Sequence, residues 1–337
     1  MAELVLLVTL VAVVLYAVFG GADFGAGIIE PLLPRAYRSK IDAALLPVWE
    51  ANHVWLVIAA VVCFVAFPPF FSVIATYLHI PILFLLLGIV ARGSAFTFRH
   101  YDPASTEQSA HYAWYSWVFS FGSLLAPLFL GVMAAALVQG ELPDPSAPPS
   151  GSFYTLFVAP WNTPLCWLAG VFTCALFAFE GSALLAAEYG REDTRLPLLG
   201  LTRRLHFVAI GAGFCVLVLL WLQPWARSFF TRPLSLGALL AATLLVPLVA
   251  WSFGHGKVWT LRIATGAQVA AVLVGCFGAH YPVLVRFSSG RTLELTEVSA
   301  PRATLYTLLI ALGVGLALIG PALVYLLKVF KGTPAAR

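Results

Sequence analysis

Long apolar runs, broken by short polar clusters, set the pattern of this chain. A helix crossing a bilayer core needs about 20 apolar residues. Nine segments meet that demand: 3–30, 45–67, 72–96, 112–139, 160–189, 203–222, 234–252, 258–279 and 302–329. The breaks carry turn chemistry. Pro31 and Pro34 follow the first run, the stretch 140–159 is rich in Pro, Gly and Ser, and only Ser252 to Lys257 separate the seventh run from the eighth. The pattern predicts an all-α integral membrane protein of about nine transmembrane helices. Its expected division is a four-helix bundle over 1–140, a second over 160–280, and a remainder, 281–337, holding an outer loop, a peripheral ninth helix and a tail. An acid late in the first helix (Asp23) and one late in the fifth (Glu180), each beside glycine, hint at a parallel repeat.

Composition closes off the soluble alternatives. Of 337 residues, 61% are apolar and 10% charged, against about 25% charged in an ordinary globular protein. With 25 Phe, 11 Tyr and 10 Trp the chain is too aromatic to be disordered. A net charge of +4 without a basic tract gives nucleic-acid binding no support. The five cysteines all lie in apolar runs without metal-ligand spacing and read as packing residues. Met1-Ala2-Glu3 lacks the basic start of a secretory signal.

The basic residues divide unevenly between the two sides of the predicted spans. One set of loops and ends holds Arg35, Arg38, Lys40, Arg99, Arg191, Arg195, Arg203, Arg204, Lys257, Lys328, Lys331 and Arg337. The other holds Arg227, Arg232, Arg286, Arg291 and Arg302. The positive-inside bias places the N-terminus outside and the C-terminus in the cytoplasm.

Ionisable groups inside a span each need a reason. Asp23, Glu50 and Glu180 stand within apolar runs, and at about 1.5 Å per residue they and Arg92 reach the same, cytoplasmic leaflet. Two readings compete. One is an ion-pair cluster, Arg92 with Asp23 or Glu50, that locks helices together. The other is a proton path, since a carboxyl in low dielectric holds its proton more readily. A carboxyl paired with Arg92 would stay ionised, so the exchangeable one should be less tightly held.

Two segments concentrate this chemistry. Gly20-Gly21-Ala22-Asp23-Phe24-Gly25-Ala26-Gly27 is rich in the small residues that let helices approach, and helix packing is its simpler cause. In Trp49-Glu50-Ala51-Asn52-His53-Val54-Trp55, Glu50 and His53 share a helical face, and a carboxyl, an amide and an imidazole within one turn must face protein or water. His53 and His79 are expected at opposite depths and cannot ligate one haem. His206 is a lone buried imidazole, and His100, His111, His255 and His280 receive no role.

Taken in register, the two segments resemble subunit II of the cytochrome bd-type quinol oxidases. That family's G-x-D-F-G-x-G late in helix 1 is similar to Gly21 through Gly27 here. Its W-D/E-x-N-x-x-W-L is similar to Trp49 through Leu56. Arg92, Phe98-Arg99, Phe121-Gly122-Ser123, Gln139-Gly140 and Glu180-Gly181 extend the likeness over most of 15–190. The resemblance implies two four-helix bundles plus one helix in a haem-free chain. Its partner, subunit I, would bear two haems b and one haem d, oxidise quinol and reduce O2 to water; a small accessory subunit is left open. It implies a multi-pass protein of the bacterial cytoplasmic membrane that delivers cytoplasmic protons. The relay would run through Asp23 and Glu50, extended by Asn52 and His53. Arg92 and Glu180 are expected as ion-pair or relay support, and Gly21, Gly25, Gly27, Trp49 and Trp55 as packing. This chain departs from some members in carrying Glu50 for Asp and His53 for Gln, which lengthens one acid and adds a titratable ring. The alternative is a proton-coupled transporter using the same inner-leaflet carboxylates.

Overall fold

The computed structural model describes residues 1–45, 49–103, 105, 109–147, 151–189, 195–255 and 257–332. The first span, α1 (Ala2–Leu32), is continuous. It holds one wide π-type turn over Tyr16–Gly20 and closes in a tight turn at Glu30–Leu32. A short amphipathic helix, α2 (Arg38–Leu45), follows. It buries Ile41 and Leu45 with Ile29, Leu185 and Leu198, so it lies across one end of the bundle.

The second and third apolar runs divide differently from the expected 45–67 and 72–96. Helix α3 (Trp49–Ala66) ends where Phe67 leaves helical geometry. Pro68 and Pro69, which cannot donate backbone hydrogen bonds, start a new helix, α4 (Pro68–Tyr77), bent by 114° from the stretch Asn52–Ala66. Helix α5 therefore begins at His79 and runs to Tyr101, so Arg99 and His100 belong to a helix and not to a loop.

The remaining spans are α6 (Ala110–Gln139), α7 (Pro164–Glu188), α8 (Arg195–Trp221), α9 (Pro233–His255), α10 (Val258–His280) and α11 (Arg302–Gly332), close to the hydropathy limits except that α8 starts well before the expected 203. Among the described residues eight helices are long and apolar enough to cross a membrane, or nine if α3 and α4 count as one broken span. Between α10 and α11 the expected outer loop contains a small antiparallel hairpin, β1 (Val283–Arg286) with β2 (Thr292–Glu294). Arg291 ties this hairpin to Asp144 at 3.2 Å, where the Ser146 N–H and the Ser289 hydroxyl hold the Asp144 carboxyl below its usual range.

Small residues set the closest helix crossings. A Cβ on Gly25 of α1 would overlap the Phe177 carbonyl of α7, and one on Gly181 would overlap the backbone at Gly25 and Ala26. A Cβ on Gly122 of α6 would lie 2.6 Å from the Gly88 carbonyl of α5, and one on Gly170 of α7 2.6 Å from the Leu128 carbonyl of α6. These crossings place α1, α5, α6 and α7 backbone to backbone around one polar centre. Helix α11 is the peripheral one: 6% of its apolar window is buried, against 61% for α7.

Candidate functional site

Seven residues advance a helix by nearly two full turns, so positions i and i+7 share a face about 10 Å apart. On α1 those positions are Asp23 and Glu30; on α5 they are Arg92 and Arg99. The helices run parallel, and each acid meets the arginine 69 positions later. Helix α6 runs the other way and offers Ser123 to Arg92 and Ser116 to Arg99. The result is two rungs of acid, arginine and serine. Phe119 of α6 lies between them, its ring 5.2 Å from the Arg92 guanidinium and 4.7 Å from that of Arg99.

The inner rung is closed. Arg92 Nη1 donates to Asp23 Oδ2 at 2.7 Å, Nη2 donates to Oδ1, and Nη2 also reaches the Asp23 carbonyl at 3.3 Å. Nε donates to Ser123 Oγ at 3.0 Å, and Phe24 stacks on the guanidinium at 4.6 Å. Asp23 is 1% exposed and Arg92 3%. Gly27 makes room for the rung, because a Cβ there would lie 2.6 Å from that of Ser123. A bidentate pair of this kind is among the strongest and most directional of hydrogen-bonded contacts.

The outer rung is crowded. Arg99 Nη1 donates to Glu30 Oε1 at 3.0 Å and Oε2 at 2.9 Å, and to Ser116 at 3.3 Å. Its Nη2 donates to Asp42 of α2. Arg38 Nε stands 3.6 Å from Glu30, and His100 Nε2 stands 3.6 Å from Asp42 Oδ2. Two carboxylates thus share one buried guanidinium. Burial pushes the Asp42 carboxyl up to about 6, against the opposing pull of Arg99 and His100.

A third set of groups lies beside the inner rung and has no such partners. Glu180 of α7 is buried, and its Oε2 has no hydrogen-bond partner among the described residues. A Cβ on Gly21 would overlap that oxygen and crowd the Phe177 ring. The Tyr16 hydroxyl and His53 Nδ1 are also buried without hydrogen-bond partners among the described residues. The rings of Tyr16, Phe24 and His53 form a triangle with centroids 6.2–6.3 Å apart. The wide turn at Tyr16–Gly20 packs the Tyr16 ring over Gly20, where a Cβ would lie 3.2 Å from Cε2. Both Tyr16 and His53 feel the charges of Arg92 and Asp23.

Of the residues the sequence singles out, Asp23 and Arg92 form the inner rung, and Gly21, Gly25 and Gly27 face Glu180, Gly181 and Ser123. Asn52 is buried, His53 half-buried, and Trp55 packs on the main core. Trp49 and Glu50 open α3, but their side chains lie outside the described ones. Glu180 belongs to neither ion pair. Glu30, Asp42, Arg99, His100, Ser116 and Ser123 were not anticipated as a charge cluster. The signal available was the shared seven-residue spacing on the first and third spans. His206 is buried among Phe179, Phe207 and Phe253. It borders an apolar groove of about 340 Å³ between α7, α8, α9 and α10.

Residues 1–330 match the family model of the cytochrome bd terminal oxidase subunit II. The chain is 35% identical over 289 residues to the cytochrome bd ubiquinol oxidase subunit 2 of Bacillus subtilis, covering 83% of this chain and 80% of that one. It is 27% identical over 172 residues to the cytochrome bd-I ubiquinol oxidase subunit 2 of Escherichia coli, covering 50% and 44% respectively. A chain in the solved structure of the bd oxidase from Geobacillus thermodenitrificans shares the fold, with a TM-score of 0.78 over 99% of both chains at 19% identity.

Proposed function

The chain belongs to the cytochrome bd terminal oxidase subunit II family and so to a membrane-bound quinol oxidase, an oxidoreductase complex; from that premise we propose that it is the haem-free half of the complex and delivers protons for the reduction of O2 to water. Its partner is subunit I, which holds two haems b and one haem d and oxidises the quinol. The transporter alternative falls with the family assignment.

Glu180 is the observation that carries proton delivery. Asp23 is held by Arg92, whereas Glu180 is a buried carboxyl at the same level of the bundle, with one oxygen unpartnered among the described residues. An acid in that position exchanges protons more readily than one locked in a bidentate pair. Asp23 and Arg92 fix the fields around it, while His53, Asn52 and the motif acid Glu50 extend the path along α3. The excess of Lys and Arg in the loops at this end supports a cytoplasmic position for it in the bacterial inner membrane, with the N-terminus outside. Division into bundles at 1–140 and 160–280 fits the Gly25–Gly181 crossing, where the two acid-bearing segments meet.

The test is oxygen consumption by purified complexes carrying Glu180→Gln or Glu50→Gln, with haem spectra confirming assembly. Turnover at saturating quinol should fall by about a hundredfold or more, within the range of a lost proton-transfer group. Normal turnover in both fully assembled variants would remove proton delivery from this chain.

A further inference from the structure

We infer that Asp42 and His100 form a proton-collecting pair at the mouth of the path, taking protons from solvent at the surface of the bundle before they enter the membrane. The inference rests on the proton-delivery reading and names where that delivery starts.

Exposure falls in order along the cluster. The His100 side chain is 24% exposed, that of Asp42 11%, and that of Glu30 1%. His100 Nδ1 lies 2.8 Å from the Phe96 carbonyl, which can only accept, so the Nδ1 proton is committed there. The neutral ring is thereby left with its lone pair on Nε2, the nitrogen that faces Asp42 Oδ2 at 3.6 Å. A proton taken up at Nε2 passes to Oδ2 through a small ring rotation or one bridging water. The N–H bond breaks, the carboxyl O–H bond forms, and the imidazole returns to its neutral tautomer.

Asp42 can hold that proton because of its neighbours on every packed element. From α1 comes Glu30, a second carboxylate on the same guanidinium; from α5 come Arg99 and His100; from α6 comes Tyr112; and Arg38 of α2 leans toward Glu30. One buried arginine cannot fully neutralise two carboxylates, and the more exposed of the two is the one that exchanges. Lys40 is turned to another task, its ammonium 4.9 Å over the Tyr189 ring. Burial places the Asp42 carboxyl at about 6, within reach of cytoplasmic pH.

The experiment compares the wild-type complex with Asp42→Asn, Asp42→Glu and His100→Gln in proteoliposomes, each checked for haem content. A collecting pair matters most when protons are scarce. Turnover of Asp42→Asn and His100→Gln should therefore fall about tenfold at pH 8 and stay near wild type at pH 6, with Asp42→Glu restoring the profile. Infrared difference spectra of the resting complex should show a protonated-carboxyl band that titrates near pH 6 and is absent from Asp42→Asn. A uniform loss at every pH that Asp42→Glu does not rescue marks a structural role and overturns the inference. An unchanged profile in Asp42→Asn alongside slowed Glu180→Gln overturns the pair alone. Unchanged turnover in both overturns the delivery reading beneath it.

Discussion

The two rungs repeat one plan with opposite outcomes. Each joins an acid of α1, an arginine of α5 and a serine of α6, at matching helical positions. In the inner rung one carboxylate meets one guanidinium, and no Arg92 nitrogen is left buried without a partner. In the outer rung Arg99 serves Glu30 and Asp42 together, yet its Nε and the Nε of Arg38 lack hydrogen-bond partners among the described residues. The first arrangement locks three helices. The second, nearer solvent and joined by His100, is charged unevenly and can change its protonation. The difference comes from α2, which brings Asp42 to a rung that would otherwise copy the first.

The largest expected effect separates the arginines. Arg92→Leu leaves Asp23, 1% exposed, without a cation. Breaking a buried pair in this way costs about 3–5 kcal/mol, so the complex should lose assembly, read as lost haem content and a lowered melting temperature. Arg99→Leu should cost less, because Glu30 keeps Arg38 and Asp42 keeps His100. Replacing both members of the inner pair, Asp23→Leu with Arg92→Leu, should recover part of the loss, since no charge is left buried. A larger loss from Arg99→Leu than from Arg92→Leu would reverse the comparison.

Much of this architecture is legible in the sequence, and the gaps have physical causes. The spans follow from apolar length alone, and eight of their helices begin or end within a few residues of the hydropathy limits, except where α8 starts at Arg195 and α5 at His79. The shift to His79 arises because two prolines after Phe67 bend the chain without interrupting its hydropathy. The Asp23–Arg92 pair was one of the alternatives open from shared depth. The outer rung is hidden because Glu30 ends an apolar run while Asp42 and Arg99 lie in the polar breaks between runs, where a charge looks solvated. The packing of α2 over the bundle end brings Asp42 to the cluster, and all three are buried there. No spacing rule announces that a polar eight-residue stretch will fold back as a lid. The unpartnered Tyr16 hydroxyl depends on a wide turn that composition does not mark.

The pH dependence of stability gives the intermediate test. The Asp42 carboxyl is raised in the folded protein, so the native state holds a proton over the interval from its ordinary range up to about 6. Asp42 therefore contributes stability that is fully present below its unfolded pKa and is lost as pH rises through the folded value. The melting temperature of the wild-type complex should fall between about pH 4 and pH 6 by an amount that Asp42→Asn abolishes. Identical slopes in the two proteins would mean that Asp42 is ionised throughout and that the outer rung behaves like the inner one.

The serines supply the smallest and sharpest comparison, since neither is charged and both can be removed without changing the count of ionised groups. Ser123 accepts the one bond that Arg92 Nε makes, at 3.0 Å. Ser116 accepts at 3.3 Å from an Arg99 nitrogen already held by both oxygens of Glu30. Ser123→Ala strands a buried donor and should cost about 1–2 kcal/mol. Ser116→Ala removes a long, redundant bond and should cost under about 0.5 kcal/mol. Thermal melts of the two variants decide the matter. Equal losses would mean that the outer guanidinium is held as tightly as the inner one, and the contrast between a locked rung and an exchanging rung would then have to rest on Asp42 alone.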